Sequence, residues 1–335
     1  MKKFFTALLC ASLAVFTAVG FSACGSGADS EAVNLVAITA AQVGVTDDLD
    51  YYVVAEPAAS TRVNAVPSLE FAGDLQELYG GENGYPQAVI VAKNELVNTS
   101  FIGDFLDAVA ENKDWLLSEN TSAETIVSAV RAHLTDGMSP KFTAANLTKE
   151  VISNCGINLT YSYDNKDEIN AFMQEFNSVS GTSFGTASDS FFWNGESGSE
   201  DYNGSVSVYA PDGAPALGLA NLLAGEATFG VAVNYNVVDS TLIQTYVAGD
   251  CKADICVLPV NVAVKLLGSG EKYKLVATLT HGNLYLLSNN GTNITSDNLS
   301  QLKGKKVGVV NLAAVPGLTF KVILKNNGID FVELV

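Results

Sequence analysis

Short β-branched runs alternate with helix-forming stretches along almost the whole chain, and this alternation limits the fold more than any other feature. From residue 206 the order is plain. Residues 206–209 read as a strand, and Pro211-Asp212-Gly213-Ala214-Pro215 is turn chemistry. Residues 216–224 read as an apolar helix stopped by Gly225. Strands are expected over 229–234, 254–259, 273–279, 284–287, 306–311 and 331–335. Helices are expected between them over 239–248, 261–267, 296–302 and 318–326. The stretch before residue 206 behaves alike. Residues 32–45 read as a helix, 51–54 as a strand, and a helix follows from Ala58. A strand is expected over 88–92. A long helix over 101–117 puts Phe101, Phe105, Ala108, Val109 and Trp115 on one face. Helices over 121–134, 143–155 and 166–178 follow. Residues 180–204 are rich in Ser, Gly, Asp and Asn and read as linker or loop. The class is α/β, with sheets flanked by helices.

The N-terminus carries an address. Met1-Lys2-Lys3 precedes an apolar run from Phe4 to Phe21, and Ser22-Ala23-Cys24 closes it. A basic start, an apolar stretch and a small-residue cleavage site make a secretory signal over 1–23. A cysteine directly after Ser-Ala is the bacterial lipobox pattern, with lipidation expected at Cys24. Residues 24–31, rich in Gly and Ser, read as a flexible tether. The expected location is the outer face of the bacterial cytoplasmic membrane. No later apolar stretch reaches the ~20 residues of a membrane span.

Composition narrows the partners. Cleavage before Cys24 leaves 312 of the 335 residues, with 36 acids against 16 bases and a net charge near −20. That charge disfavours nucleic acid. Arg62 and Arg131 are the only arginines, so a site built on guanidinium clamps is nearly excluded. His133 and His281 are the only histidines and support no catalytic triad. No cysteine has zinc-ligand spacing. Cys251 and Cys256 bridge only if the chain bends between them; otherwise Cys256 is a buried apolar thiol. Asp164, Asp167 and Glu168 lack the register of a calcium loop and read as a solvated turn. No metal, cofactor or enzyme activity is expected.

Six stretches carry a resemblance. Tyr209-Ala210-Pro211-Asp212-Gly213-Ala214-Pro215, running on to Ala220, resembles the opening strand, loop and helix of ABC-transporter substrate-binding proteins, in the group that includes thiamine-precursor, sulfonate and nitrate binders. Residues 253–261 (Ala-Asp-Ile-Cys-Val-Leu-Pro-Val-Asn) and 273–283 resemble later segments of its first lobe. Residues 302–309 (Leu-Lys-Gly-Lys-Lys-Val-Gly-Val) resemble the entry to its second lobe. Residues 50–57 (Asp-Tyr-Tyr-Val-Val-Ala-Glu-Pro) resemble that lobe's end, and Gly84-Tyr85-Pro86-Gln87 the return crossing. In that family the 205–335 segments come before the 32–195 segments; here they follow. The chain resembles a circular permutant.

The resemblance implies a two-lobed, periplasmic-binding-protein-like fold of type 2, each lobe a mixed sheet flanked by helices, with a hinge of two crossings. Lobe one would be 205–285 plus 88–195, lobe two 290–335 plus 32–84, and 196–204 would join the family's usual ends. A monomer is expected, delivering a small ligand to an ABC permease. The alternatives are ligand sensing without transport, or a thiamine-pyrimidine enzyme on the same fold. The enzyme needs a histidine- and cysteine-rich iron site that two distant histidines do not supply.

Ligand is expected beyond the carboxyl ends of strands. Asp212, Gly213 and Ala214 start a helix there; Asp212 either caps it or meets ligand. Asn234 and Tyr235 are placed after the second strand of this half. Pro259 and Asn261 follow the next, where Asn261 is a cap or a contact. His281 and Asn283 lie at a crossing, and Asn311 follows the lobe-two strand. Glu56 either anchors its turn or faces ligand. Lacking arginines, such a site suits a neutral or weakly charged organic molecule, pyrimidine-like or, by family, sulfonate-like.

Overall fold

The computed structural model describes residues 30–334 apart from 82, 83, 136 and 291. The signal segment 1–23, Cys24 and the tether as far as Asp29 lie outside the described residues. Among the described residues the strands are β1 (Val33–Ile38), β2 (Tyr51–Ala55), β3 (Glu70–Asp74), β4 (Pro86–Lys93), β5 (Ile157–Tyr161), β6 (Val206–Pro211), β7 (Val233–Val238), β8 (Ile255–Pro259), β9 (Tyr273–His281), β10 (Leu284–Ser288), β11 (Lys306–Val310) and β12 (Phe331–Leu334). They form two six-stranded mixed sheets. The first has the order β12-β1-β11-β2-β10-β3, and the second β5-β9-β4-β8-β6-β7. The fold is α/β, as its alternating sequence implies.

The chain passes between the sheets twice, from β3 to β4 and from β9 to β10. The second passage is short: only Gly282 and Asn283 separate the two strands, so Leu284 and Tyr285 already belong to the first sheet. Each passage delivers a strand antiparallel to its neighbours. β10 runs against β2 and β3, and β4 runs against β8 and β9. β5 also runs against β9, and the remaining pairs β12/β1, β1/β11, β11/β2, β6/β7 and β6/β8 are parallel.

Three apolar cores follow from the two-residue side-chain period of strands. In β8, Cys256 and Leu258 enter a central core while Ile255 and Val257 enter the outer core of the second sheet. In β2, Tyr51 and Val53 enter the same central core while Tyr52 and Val54 enter the outer core of the first sheet. The central core is therefore shared. Helices Ser162–Val179, Val260–Leu267 and Val315–Asn326 all contribute to it.

Several elements differ from expectation. The run 32–45 holds strand β1, not a helix, because β1 is hydrogen-bonded on both edges and its residues mix β-branched and apolar types without a clean period. The helix expected over 216–224 is two short helices, Ala214–Leu217 and Ala220–Leu223. Gly218 between them lies against Leu279, where a Cβ would come within 2.8 Å of its side chain. The helix expected over 239–248 is only a 3-10 turn, Ile243–Tyr246; the Asp239 carboxylate takes the Thr241 N–H at 2.8 Å and hydroxyl at 2.6 Å instead, an Asx turn. Phe101–Ala110 and Asn112–Leu117 replace one long helix, and a 3-10 turn at Ala144–Asn146 with helix Lys149–Asn154 replaces another. The 196–204 segment packs down rather than looping free: Glu200 O accepts from Ser100 N at 3.0 Å. Cys155, Cys251 and Cys256 are unbridged. Asp164, Asp167 and Glu168 lie in helix Ser162–Val179.

Candidate functional site

Strand register places the carboxyl ends of the parallel strands on either side of the crossings. In the second sheet Ala88 of β4 pairs Pro259 of β8, Pro86 pairs His281, and Tyr209 of β6 pairs Cys256 of β8. The ends of β6 and β8 are thus level with the crossing. In the first sheet Leu284 of β10 pairs Ala55, and Val309 of β11 pairs Val53. The ends of β2 and β11 are level with the same crossing from the other side.

Both sheets also change hand at this place. The helix after β6, Ala214–Leu217, covers the outer face, whereas the helix after β8, Val260–Leu267, covers the central face. In the first sheet the helix after β11, Val315–Asn326, covers the central face, whereas that after β2, Ala58–Ala65, covers the outer one. Adjacent parallel strands with helices on opposite faces leave a crevice beyond their carboxyl ends. Here two such switch points face each other.

Nine of the eleven residues expected from sequence lie at these facing ends: Asp212, Gly213, Ala214, Pro259, Asn261, His281, Asn283, Asn311 and Glu56. Asn234 and Tyr235 do not. The second strand of this half starts at Val233, so both sit inside β7, opposite Ser207 and Val208. The Tyr235 ring lies edge-on to His133 at 5.7 Å, and burial pushes its phenol up to about 12. The strand expected over 229–234 therefore begins four residues later than expected.

Asp212 is 4 % exposed. Its Oδ2 accepts the backbone N–H of Lys141 at 2.8 Å, while Oδ1 has no hydrogen-bond partner among the described residues. Burial raises its pKa, opposed by the Lys141 N–H and charge and by the nearby Gly213 N–H, which lies outside hydrogen-bond geometry to Oδ1. It does not cap the helix; Gly213 occupies that position with φ 112°. Gly213 is buried, yet a Cβ there would meet no described atom within 4 Å. Asn261 occupies the second position of its helix, and its Oδ1 is likewise buried without a described partner. Glu56 anchors its turn: Oε1 accepts the Ser60 hydroxyl at 2.6 Å and Oε2 the Ser60 N–H at 3.0 Å. Burial raises its pKa. Asn311 is exposed in a left-handed conformation.

The crossings are tied by Asn283 together with two amides that sequence reasoning did not single out, Gln87 and Gln76. Asn283 Nδ2 donates to Glu56 O at 3.3 Å, and Gln87 Nε2 donates to Asn283 Oδ1 at 2.6 Å. This chain fixes the sense of both amides and leaves Gln87 Oε1 as a buried acceptor without a described partner. Gln76 Oε1 accepts from Tyr85 OH and from Leu284 N, each at 2.9 Å. His281 is 6 % exposed; burial holds its imidazole down at about 4, against a favourable bond to the Asn158 backbone.

A cavity of about 360 Å³ lies beside the crossings, lined by Asp74, Gln76, Gly84, Asn154, His281 and Tyr285 among others. A larger depression of about 560 Å³ lies under residues 184–188 against helix Val260–Leu267 and holds none of the strand-end residues. The strand-end crevice is the better candidate because it gathers buried polar groups that lack described partners, of which only His281 also lines the 360 Å³ cavity. Among the described residues no group of His, Cys, Asp and Glu could hold a metal ion, and no helix is long and apolar enough to cross a membrane. No protein-family model matches the chain, and no curated protein matches it.

Proposed function

We propose that the protein is a solute-binding receptor of type 2 periplasmic-binding-protein architecture in permuted order. Lipid on Cys24 holds it on the outer face of a bacterial membrane. It closes two lobes over a small organic ligand and presents the closed form to an ABC-class permease. The observation that carries this reading is the pair of facing switch points beside a double crossing. A ligand seated there touches both sheets only when they are close, so its binding free energy favours the closed arrangement. The signal sequence and the scarcity of arginine fit a non-catalytic receptor for an organic molecule.

The mouth of the crevice is lightly held. Asn64 of helix Ala58–Ala65 donates to Asn146 Oδ1 at 3.3 Å, and Tyr285 OH reaches Asn154 O at 3.4 Å. On the opposite side the central core joins the two sheets. Opening therefore swings residues 58–65 away from 144–154. The test is a thermal-shift screen of pyrimidines, sulfonates, nitrate and amino acids, with X-ray scattering on each compound that binds. A ligand present at a hundredfold excess over its Kd stabilises by about 2.7 kcal/mol, and the radius of gyration should fall. Binding without compaction refutes the receptor, and no stabilisation across the screen counts against it.

A further inference from the structure

We infer that the ligand carries a protonated nitrogen, as in an amine, amidine or similar N–H-bearing organic cation, and that the Asp212 carboxylate is its counter-charge. This rests on the receptor reading and specifies the ligand chemistry of its crevice. Three adjacent strands, β6, β8 and β4, bring acceptor oxygens to one edge. Asp212 follows β6, Asn261 follows β8, and Gln87 opens β4 beside the end of β8. Neighbouring strands lie about 4.8 Å apart, so the three positions span roughly 10 Å, the scale of a small organic molecule. Asp212 Oδ1, Asn261 Oδ1 and Gln87 Oε1 are all buried with no described partner. Every one is an acceptor, so the group that completes them is a donor.

No side-chain cation neutralises this edge by direct contact among the described residues. Lys141 gives Asp212 its backbone N–H, while its ammonium reaches Ser240 Oγ at 3.3 Å. Arg62 is committed to the Val43 carbonyl through Nε and Nη2. A buried carboxylate with half its acceptors unmet is costly, and a cation arriving in the crevice removes that cost only when the lobes close on it. Space exists beside it, at Gly213, where a Cβ would touch nothing described. The net charge of the whole chain also draws cations in. Anionic sulfonates and nitrate would face the same oxygens with like charge.

The test is calorimetry on the full mature chain with putrescine, agmatine and thiamine as cationic probes, cytosine as a neutral one, and ethanesulfonate and nitrate as anions. Binding is expected from at least one cation and from neither anion. Asp212→Asn keeps an acceptor for Lys141 N–H and should weaken the cation by roughly 10- to 100-fold. Should that variant fail to fold, Asn261→Asp adds a carboxylate at the same edge and should tighten the cation; unchanged or weaker binding counts against the assignment. A neutral or anionic probe that compacts the protein, with affinity indifferent to Asp212→Asn, overturns the cation assignment and leaves the receptor standing. No binding by any probe overturns the assignment for these classes, and joined to a silent thermal screen it overturns the receptor as well.

Discussion

His281 sets a pH dependence that belongs to one residue. Its imidazole is buried and its pKa lies at about 4, against an ordinary value of 6.5. In the unfolded chain it takes up a proton as pH falls through 6.5; in the folded protein it stays neutral until about 4. The folded state therefore loses stability between those values, by about 3 kcal/mol in all. Glu56 and Asp212 act in the other direction, since burial raises both and favours the folded state as they protonate. The comparison that isolates the histidine is urea unfolding of the protein and of His281→Gln from pH 7 to 4. The variant should lose about 3 kcal/mol less across that range. Parallel slopes would show that the imidazole is not held neutral. His281 was legible as a crossing residue because it closes an apolar strand. Its neutrality was not, because it comes from burial under segments distant in sequence, such as Gly156, whose carbonyl takes the His281 backbone N–H at 2.8 Å.

At the scale of elements, glycines with the same backbone angle separate into two kinds. Gly156 (φ 63°) precedes β5, and a Cβ there would collide with the carbonyl oxygens of Gly282 and His281. Gly225 (φ 79°) ends helix Ala220–Leu223, and a Cβ would meet nothing described within 4 Å. Both substitutions to alanine incur the left-handed backbone penalty of about 1 kcal/mol. Only Gly156→Ala adds a clash in the crossing, worth a further ~1–3 kcal/mol. Urea midpoints of the two variants should differ accordingly, and equal losses would mean the crossing yields freely. Legibility follows a similar division. Strands β8 and β11 were readable because strands buried on both faces leave apolar runs such as Ile255-Cys256-Val257-Leu258, and β6 because its buried residues alternate. Strands β3 and β5 were missed because both are sheet edges, bonded on one side only and carrying exposed residues such as Glu70, Phe71 and Asn158. The facing ends were readable because turn residues follow the strands; the acceptors on Gln87 and Asn261 emerge only from pairing across the sheet.

The whole molecule should unfold as one unit despite having two sheets. Glu175 of helix Ser162–Val179 accepts from Tyr79 OH at 2.7 Å and from Asn326 Nδ2 at 3.2 Å, joining elements that pack on the first sheet to a helix of the second. Beside them Phe172 stacks on Tyr85 at 5.6 Å, meets Tyr79 edge-on at 5.7 Å and lies 4.2 Å from Phe176. In the proposed receptor, opening of the crevice leaves this seam intact, and the two halves move as leaves on a shared spine rather than as beads on a string. Two probes can tell these apart. Trp115 and Trp193, the only tryptophans, both pack in the outer core of the second sheet, so fluorescence reports that half. Far-ultraviolet circular dichroism reports both halves. The two urea curves should coincide for the native protein. Phe172→Ala removes a fully buried ring from the seam and should cost about 3–5 kcal/mol, moving both curves together. If the fluorescence curve shifts while part of the dichroism signal keeps its old midpoint, the halves fold independently. The shared core then fails as a hinge, because nothing would hold the closed ends of β6 and β8 opposite those of β2 and β11.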